Sequence, residues 1–220
     1  MIDRSVTPRR VALVTLVVAT VLAVAWTLWP DRSTPNSLTA PGPQSIEPGT
    51  HLKPAVCNRA ATKPFRPRTI TVRKVAHNAE VLGLGRDANN VPQAPPISSI
   101  GKTQFAWDDA NTSRDHGRAP GTKHGNVLIN AHTWPDGTAL GNRLLEHLHV
   151  GGRIIVRGTH AELCYRVTKR IVVRAADGAP EYYENDGPPQ LALIVCSPPR
   201  LGPGNWENRT IWFASPMNVT

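Results

Sequence analysis

Between residues 68 and 214 the chain is cut into short lengths. Runs rich in Val, Ile, Leu and Thr alternate with clusters of Pro, Gly, Asn and Asp. Those clusters end strands and helices alike, because Pro lacks an N–H and Gly and Asn accept turn conformations. Residues 69–75 (TITVRKV) alternate with the period of a strand. The stretches 80–84, 102–107, 127–131, 153–157 and 163–173 follow as further strand candidates, and 191–196 and 210–214 complete the set. Only 139–148 (ALGNRLLEHL) has helical spacing, with Leu140, Leu144, Leu145 and Leu148 on one side. Many short strands can bury their apolar faces only by packing sheet on sheet or by closing on themselves. The prediction is an all-β barrel or sandwich.

The 220 residues hold one such domain plus appendages. Residues 11–29 (VALVTLVVATVLAVAWTLW) carry no charge and are long enough as a helix to cross a bilayer. Arg4, Arg9 and Arg10 precede them, which keeps the short arm 1–10 in the cytoplasm and sends the rest outside. A cleaved signal peptide is the competing reading. Its apolar core is normally shorter and followed by small residues, whereas this one ends in Trp-Thr-Leu-Trp, so a retained single-pass anchor is expected. Residues 30–67, rich in Pro, Ser, Thr and Gly, cannot bury enough surface to fold alone and read as a stiff stalk. The folded domain is then 68–220. Net charge is +9, of which the arm supplies +2. The external excess suits anionic wall polymers or headgroups, or is simply a solvated surface, since it forms no run. No nucleic-acid motif is present, and no nucleic-acid partner is expected.

The chemistry concentrates in the last third of the chain. The apolar run 191–196 (LALIVC) ends in Cys196, and the following SPPRLGPG is predicted to end the strand there. Thirteen positions on, Arg209 opens the run TIWFA, which can return as an antiparallel neighbour. A thiol beside a guanidinium suits a nucleophile, because the cation favours thiolate. Alternatively Cys196 is one more small buried residue. A cysteine nucleophile needs a proton carrier, and of eight histidines His132 is best placed, at the end of the run 127–131 where a loop begins. His147, His149, His116, His124 and His51 read as surface residues.

His at one strand end, Cys at another and Arg at the start of the next resemble the sortases, membrane-anchored cysteine transpeptidases of Gram-positive cell surfaces. The family's TLxTC motif is matched here by Ala192-Leu193-Ile194-Val195-Cys196, followed by Arg209. Both motif threonines are replaced, by Ala192 and Val195, so no hydroxyl precedes the cysteine. The family's Gly-His is matched by Ala131-His132. Pro120-Gly121 before the His strand and Leu144, Leu148 and Gly151 to Val156 after it also fit, and the layout is most similar to the minimal classes E or F. The resemblance implies a closed β-barrel of about eight strands with one or two short helices.

It further implies that Cys196 attacks a carbonyl in an LPxTG-like sorting signal of a surface protein and forms a thioacyl enzyme. His132 would serve as acid and base and Arg209 would stabilise the oxyanion. The acceptor would be a peptidoglycan-precursor amine or water, with no metal or organic cofactor. The acidic stretch 175–186 could hold calcium of the kind some sortases use, or be acidic simply as solvated loops often are, and the sequence does not choose between the two. An L,D-transpeptidase is disfavoured because Ser-His-Gly-x-Cys is missing. The alternative is a non-catalytic, membrane-tethered wall-binding module that keeps the barrel. With Cys196 kept reduced, Cys57 and Cys164 remain outside the cytoplasm, where thiols pair. Cys164 alternates with Leu163 and Tyr165 and is expected to face outward, so a Cys57–Cys164 disulfide joining stalk to barrel is predicted.

Overall fold

The computed structural model describes residues 63–109 and 117–217. The chain divides into the units Met1–His51 and Leu52–Thr220. The expected anchor 11–29, most of the stalk, and Cys57 lie outside the described residues. Among those described, no helix is long and apolar enough to cross a membrane.

Eight strands close a barrel: β1 Thr69–Val72, β2 Ala76–Leu84, β3 Phe105–Asp108, β4 Asn126–Ala131, β5 Arg153–Arg157, β6 Glu162–Arg174, β7 Gln190–Gly202 and β8 Asn205–Pro216. Their order around the barrel is β1-β2-β3-β4-β7-β8-β6-β5. Among the described residues one α-helix, α1 (Leu140–His147), covers part of the barrel and buries Leu140 and Leu144, while the flanking Leu148 is also buried. Its stop is tied into the core, since the indole N–H of buried Trp212 donates to the Leu148 carbonyl at 2.8 Å. At the other end of the domain the chain is packed as early as Phe65, whose N–H bonds the Pro120 carbonyl and whose ring joins the core.

Period-two alternation sorts each strand into an inner and an outer face. Val127, Ile129 and Ala131 of β4 point inward, as do Leu191, Leu193 and Val195 of β7 and Trp212 and Ala214 of β8. The opposite residues form an outer cluster: Leu128 on β4, Ala192 on β7, and Ile211 and Phe213 on β8 pack under Tyr182. Tyr182 comes from a short 3₁₀ turn (Pro180–Tyr183) in the β6–β7 segment.

Three sequence readings change. The 102–107 run divides, with Gly101–Thr103 forming a 3₁₀ turn and only Phe105 onward a strand. The strand predicted to stop at Cys196 continues to Gly202. Pro198 and Pro199 fall where the β7–β8 register shifts, between Ser197 and Arg200, so no ladder N–H is required of them. Cys164 is buried, at 2 % exposure, even though Leu163 and Tyr165 take the interior as expected. Its cross-strand neighbour Ile155 is buried as well, so the outer wall is covered there. Cys164 is disulfide-bonded.

Candidate active site

Strand direction brings the three candidate residues to one rim. β4 and β7 run parallel, with Ala131 opposite Val195, so His132, just past the end of β4, and Cys196, still within β7, lie at the same level. β8 runs antiparallel to β7 with Arg209 directly opposite Cys196, but it begins at Asn205, so Arg209 lies within the strand and not at its start as the sequence suggested. Alternation places Cys196 and Arg209 on the outer face, in line with Ala192 and Ile211. The three side chains line one cleft of about 790 Å³. Its walls are the β2–β3 loop with Val91 and Ile97, the β6–β7 segment with Tyr182 and Tyr183, and the β7–β8 arm with Arg200 and Trp206.

His132 is half-buried, and its Nε2 lies 2.6 Å from the carbonyl oxygen of Pro95. A carbonyl only accepts, so Nε2 carries the proton and Nδ1 of the neutral ring holds the lone pair. The loop supplying Pro95 is itself fixed. Asn130 Nδ2 donates to the Gln93 carbonyl at 3.0 Å, and Arg86 pairs at 2.6 Å with Asp108, whose side chain is fully buried. Arg86 also lies over the ring of Tyr183, and Lys102 over that of Trp134, steadying two cleft walls.

Cys196 is the free thiol among the described cysteines. No hydrogen bond joins its sulfur to His132. Burial pushes the thiol up from its ordinary range, and the charge of Arg209 offsets this only in part. The cation therefore acts in the direction read from the sequence, but desolvation outweighs it. Arg209 Nη1 donates to the carbonyls of Trp206 and Asn208, both at 3.0 Å. Its Nε and Nη2 have no partner among the described residues and remain available to a ligand's oxygens.

Some contributors were not foreseen. Thr133 Oγ1 donates to the Cys196 carbonyl at 2.6 Å, tying the histidine loop to the cysteine strand. Thus a hydroxyl does reach this cysteine, from beside the histidine rather than from the position before the cysteine, where Val195 is packed inside. The amide N–H of Gly141, in the first turn of α1, donates to the His132 carbonyl at 2.7 Å. Asn130 Oδ1 is buried with no partner, leaving an acceptor beside the cleft. Among the described residues no group of three potential ligands could hold a metal. In the acidic loop, Asp177 pairs with Arg174 and Glu181 with Lys169.

A family model described as a sortase domain matches residues 87–217, more than half of the chain. This chain belongs to the sortase family. The matched span holds β3 to β8 and all three candidate residues, while β1 and β2 lie before it. Similar solved structures include sortase C1 of Streptococcus agalactiae, at 12% identity and a TM-score of 0.49, covering 69% of this chain and 67% of that one. Sortase A of Listeria monocytogenes gives 16% and 0.47, covering 68% and 86%. A pilus-related sortase C of Group B Streptococcus gives 16% and 0.47, covering 73% and 70%. No curated protein matches.

Proposed function

We propose that this sortase is a cysteine transpeptidase whose reacting groups are Cys196, His132 and Arg209. The observation carrying the reading is the pairing of Cys196 with Arg209 across β7 and β8, at the rim where β4 delivers His132. The thiolate of Cys196 would add to a peptide carbonyl, and the free Nε and Nη2 of Arg209 would donate to the oxyanion. His132 as imidazolium would protonate the departing amine as the C–N bond breaks, leaving a thioester on Cys196. Neutral His132 would then take a proton from the incoming amine, or from water, as that nucleophile displaces the thiolate.

The donor is a surface protein with an LPxTG-like C-terminal signal, and the acceptor a peptidoglycan-precursor amine. Residues 11–29 hold the enzyme in the cell membrane with its N-terminus cytoplasmic and the barrel outside. The lean layout, a barrel without long appendages, favours class E or F.

The test is mass spectrometry of the full-length protein in detergent after incubation with a library of sorting-signal peptides. A thioester mass on the peptide containing Cys196 is expected. Cys196→Ala and His132→Ala should lower turnover by at least about a thousandfold. Arg209→Lys should also be poor, because a point charge does not replace a planar fork. Peptide that binds but neither acylates Cys196 nor is cleaved would mark the wall-binding module instead.

A further inference from the structure

The cleft is charged with one sign. Among the described residues that line it, the basic ones are His132, Arg174, Arg200 and Arg209, and none is Asp or Glu. Arg174 is already compensated, by two 2.9 Å contacts to Asp177. Arg209 sits at the thiol. Arg200 is exposed on the β7–β8 arm and has no ion pair or hydrogen bond among the described residues. It is not loosely placed, because its register partner is Trp206, which is 8 % exposed and lines the same cleft. Much of the remaining lining is apolar or aromatic, so the cationic field is less screened than on an open surface.

We infer that the donor peptide carries a carboxylate side chain near the sorting motif and that Arg200 receives it. The inference rests on the transpeptidase reading and adds the charge of the substrate to it. Arg200 follows Cys196 by four strand positions, about 13 Å of rise before the bulge shortens it. An extended peptide advances by about the same rise per residue, which puts the acidic residue within about four positions of the scissile bond. A lysine there would meet the like charge of Arg200, while the nearby Asp177 is already paired with Arg174.

A carboxylate on the amine acceptor offers the same chemistry, and hydrolysis without any added amine separates the two. Peptides of one motif, carrying a single Glu, Gln or Lys at each of four positions on either side of the scissile bond, are cleaved by the full-length protein in detergent. At one position Glu should exceed Lys by about fivefold or more in kcat/KM at low salt, with Gln between, and the gap should narrow as salt rises. Arg200→Glu should reverse the order of Glu and Lys. Equal rates within about twofold at every position, an order unchanged in Arg200→Glu, or a charge effect seen only with a carboxylated amine would each overturn the inference. Binding of the same peptides to full-length Cys196→Ala, read by tryptophan fluorescence, separates it from the transpeptidase reading. Preferential binding of the acidic peptide without cleavage by the native protein sinks the reading and keeps the charge preference. Cleavage without preference does the opposite, and no binding with no cleavage ends both.

Discussion

Burial and a guanidinium pull the Cys196 thiol in opposite directions, and burial wins. A thiol raised above its ordinary range is mostly protonated at neutral pH, so the reactive thiolate is a minority species that grows as pH rises. Alkylation of Cys196 by iodoacetamide, followed from pH 6 to 11, should therefore have its midpoint above that of an unhindered cysteine. Arg209→Gln removes the lowering influence, and its midpoint should move higher still. A midpoint below the ordinary thiol range would contradict the structure. The contact between His132 and Pro95 makes a separate demand on the neutral ring. Nitrogen-15 NMR of histidine-labelled protein should show Nε2 protonated and Nδ1 bare at high pH. The opposite tautomer would mean that the Pro95 carbonyl does not hold this ring.

At the scale of elements, α1 is the support beneath the histidine. Its first turn comes so close to the 132–133 backbone that a Cβ on Gly141 would sit 2.3 Å from Thr133 Oγ1 and 2.5 Å from the His132 carbonyl oxygen. Gly141→Ala must push that loop away. It should cost about 1–3 kcal/mol in denaturant unfolding and lower kcat/KM by about tenfold or more through misplacement of His132. Gly202→Ala, where a Cβ meets nothing within 4 Å, should change neither and serves as the control. The strands were readable because alternation is local, and the three residues that flank apolar runs, His132, Cys196 and Arg209, do line one cleft. Their partners were not readable. Thr133 lies 63 residues from the cysteine it bonds, and Pro95 lies 37 from the histidine. The parallel pairing of β4 with β7, which sets the two catalytic candidates level, is equally non-local. The Pro-Pro segment misled because the ban on strand prolines applies where a ladder N–H is needed, and the bulged β7–β8 arm does not need one.

For the molecule as a whole, three cysteines frame a simple count. Cys164 is disulfide-bonded and Cys196 is free. With Cys57 as the proposed partner of Cys164, the unreduced, unfolded full-length protein should show one reactive thiol, and peptide mapping should place it at Cys196. Three thiols would rule the bridge out. If present, a bridge closing so long a loop contributes about 4–5 kcal/mol in the chain-entropy model. The placement of the cleft on the outer skin of the wall has a consequence for how such a molecule can diversify. The side chains that hold the barrel shut face away from the groove. The segments that shape the groove, 85–104, 175–189 and the β7–β8 arm, are each clamped at both ends by strands of the closed ring. One of these segments can be exchanged for another of similar span without reopening the interior. What the groove accepts can therefore change with these segments, provided a carbonyl still meets His132 as that of Pro95 does, while the ring and the rim that aligns Cys196 with Arg209 stay as they are.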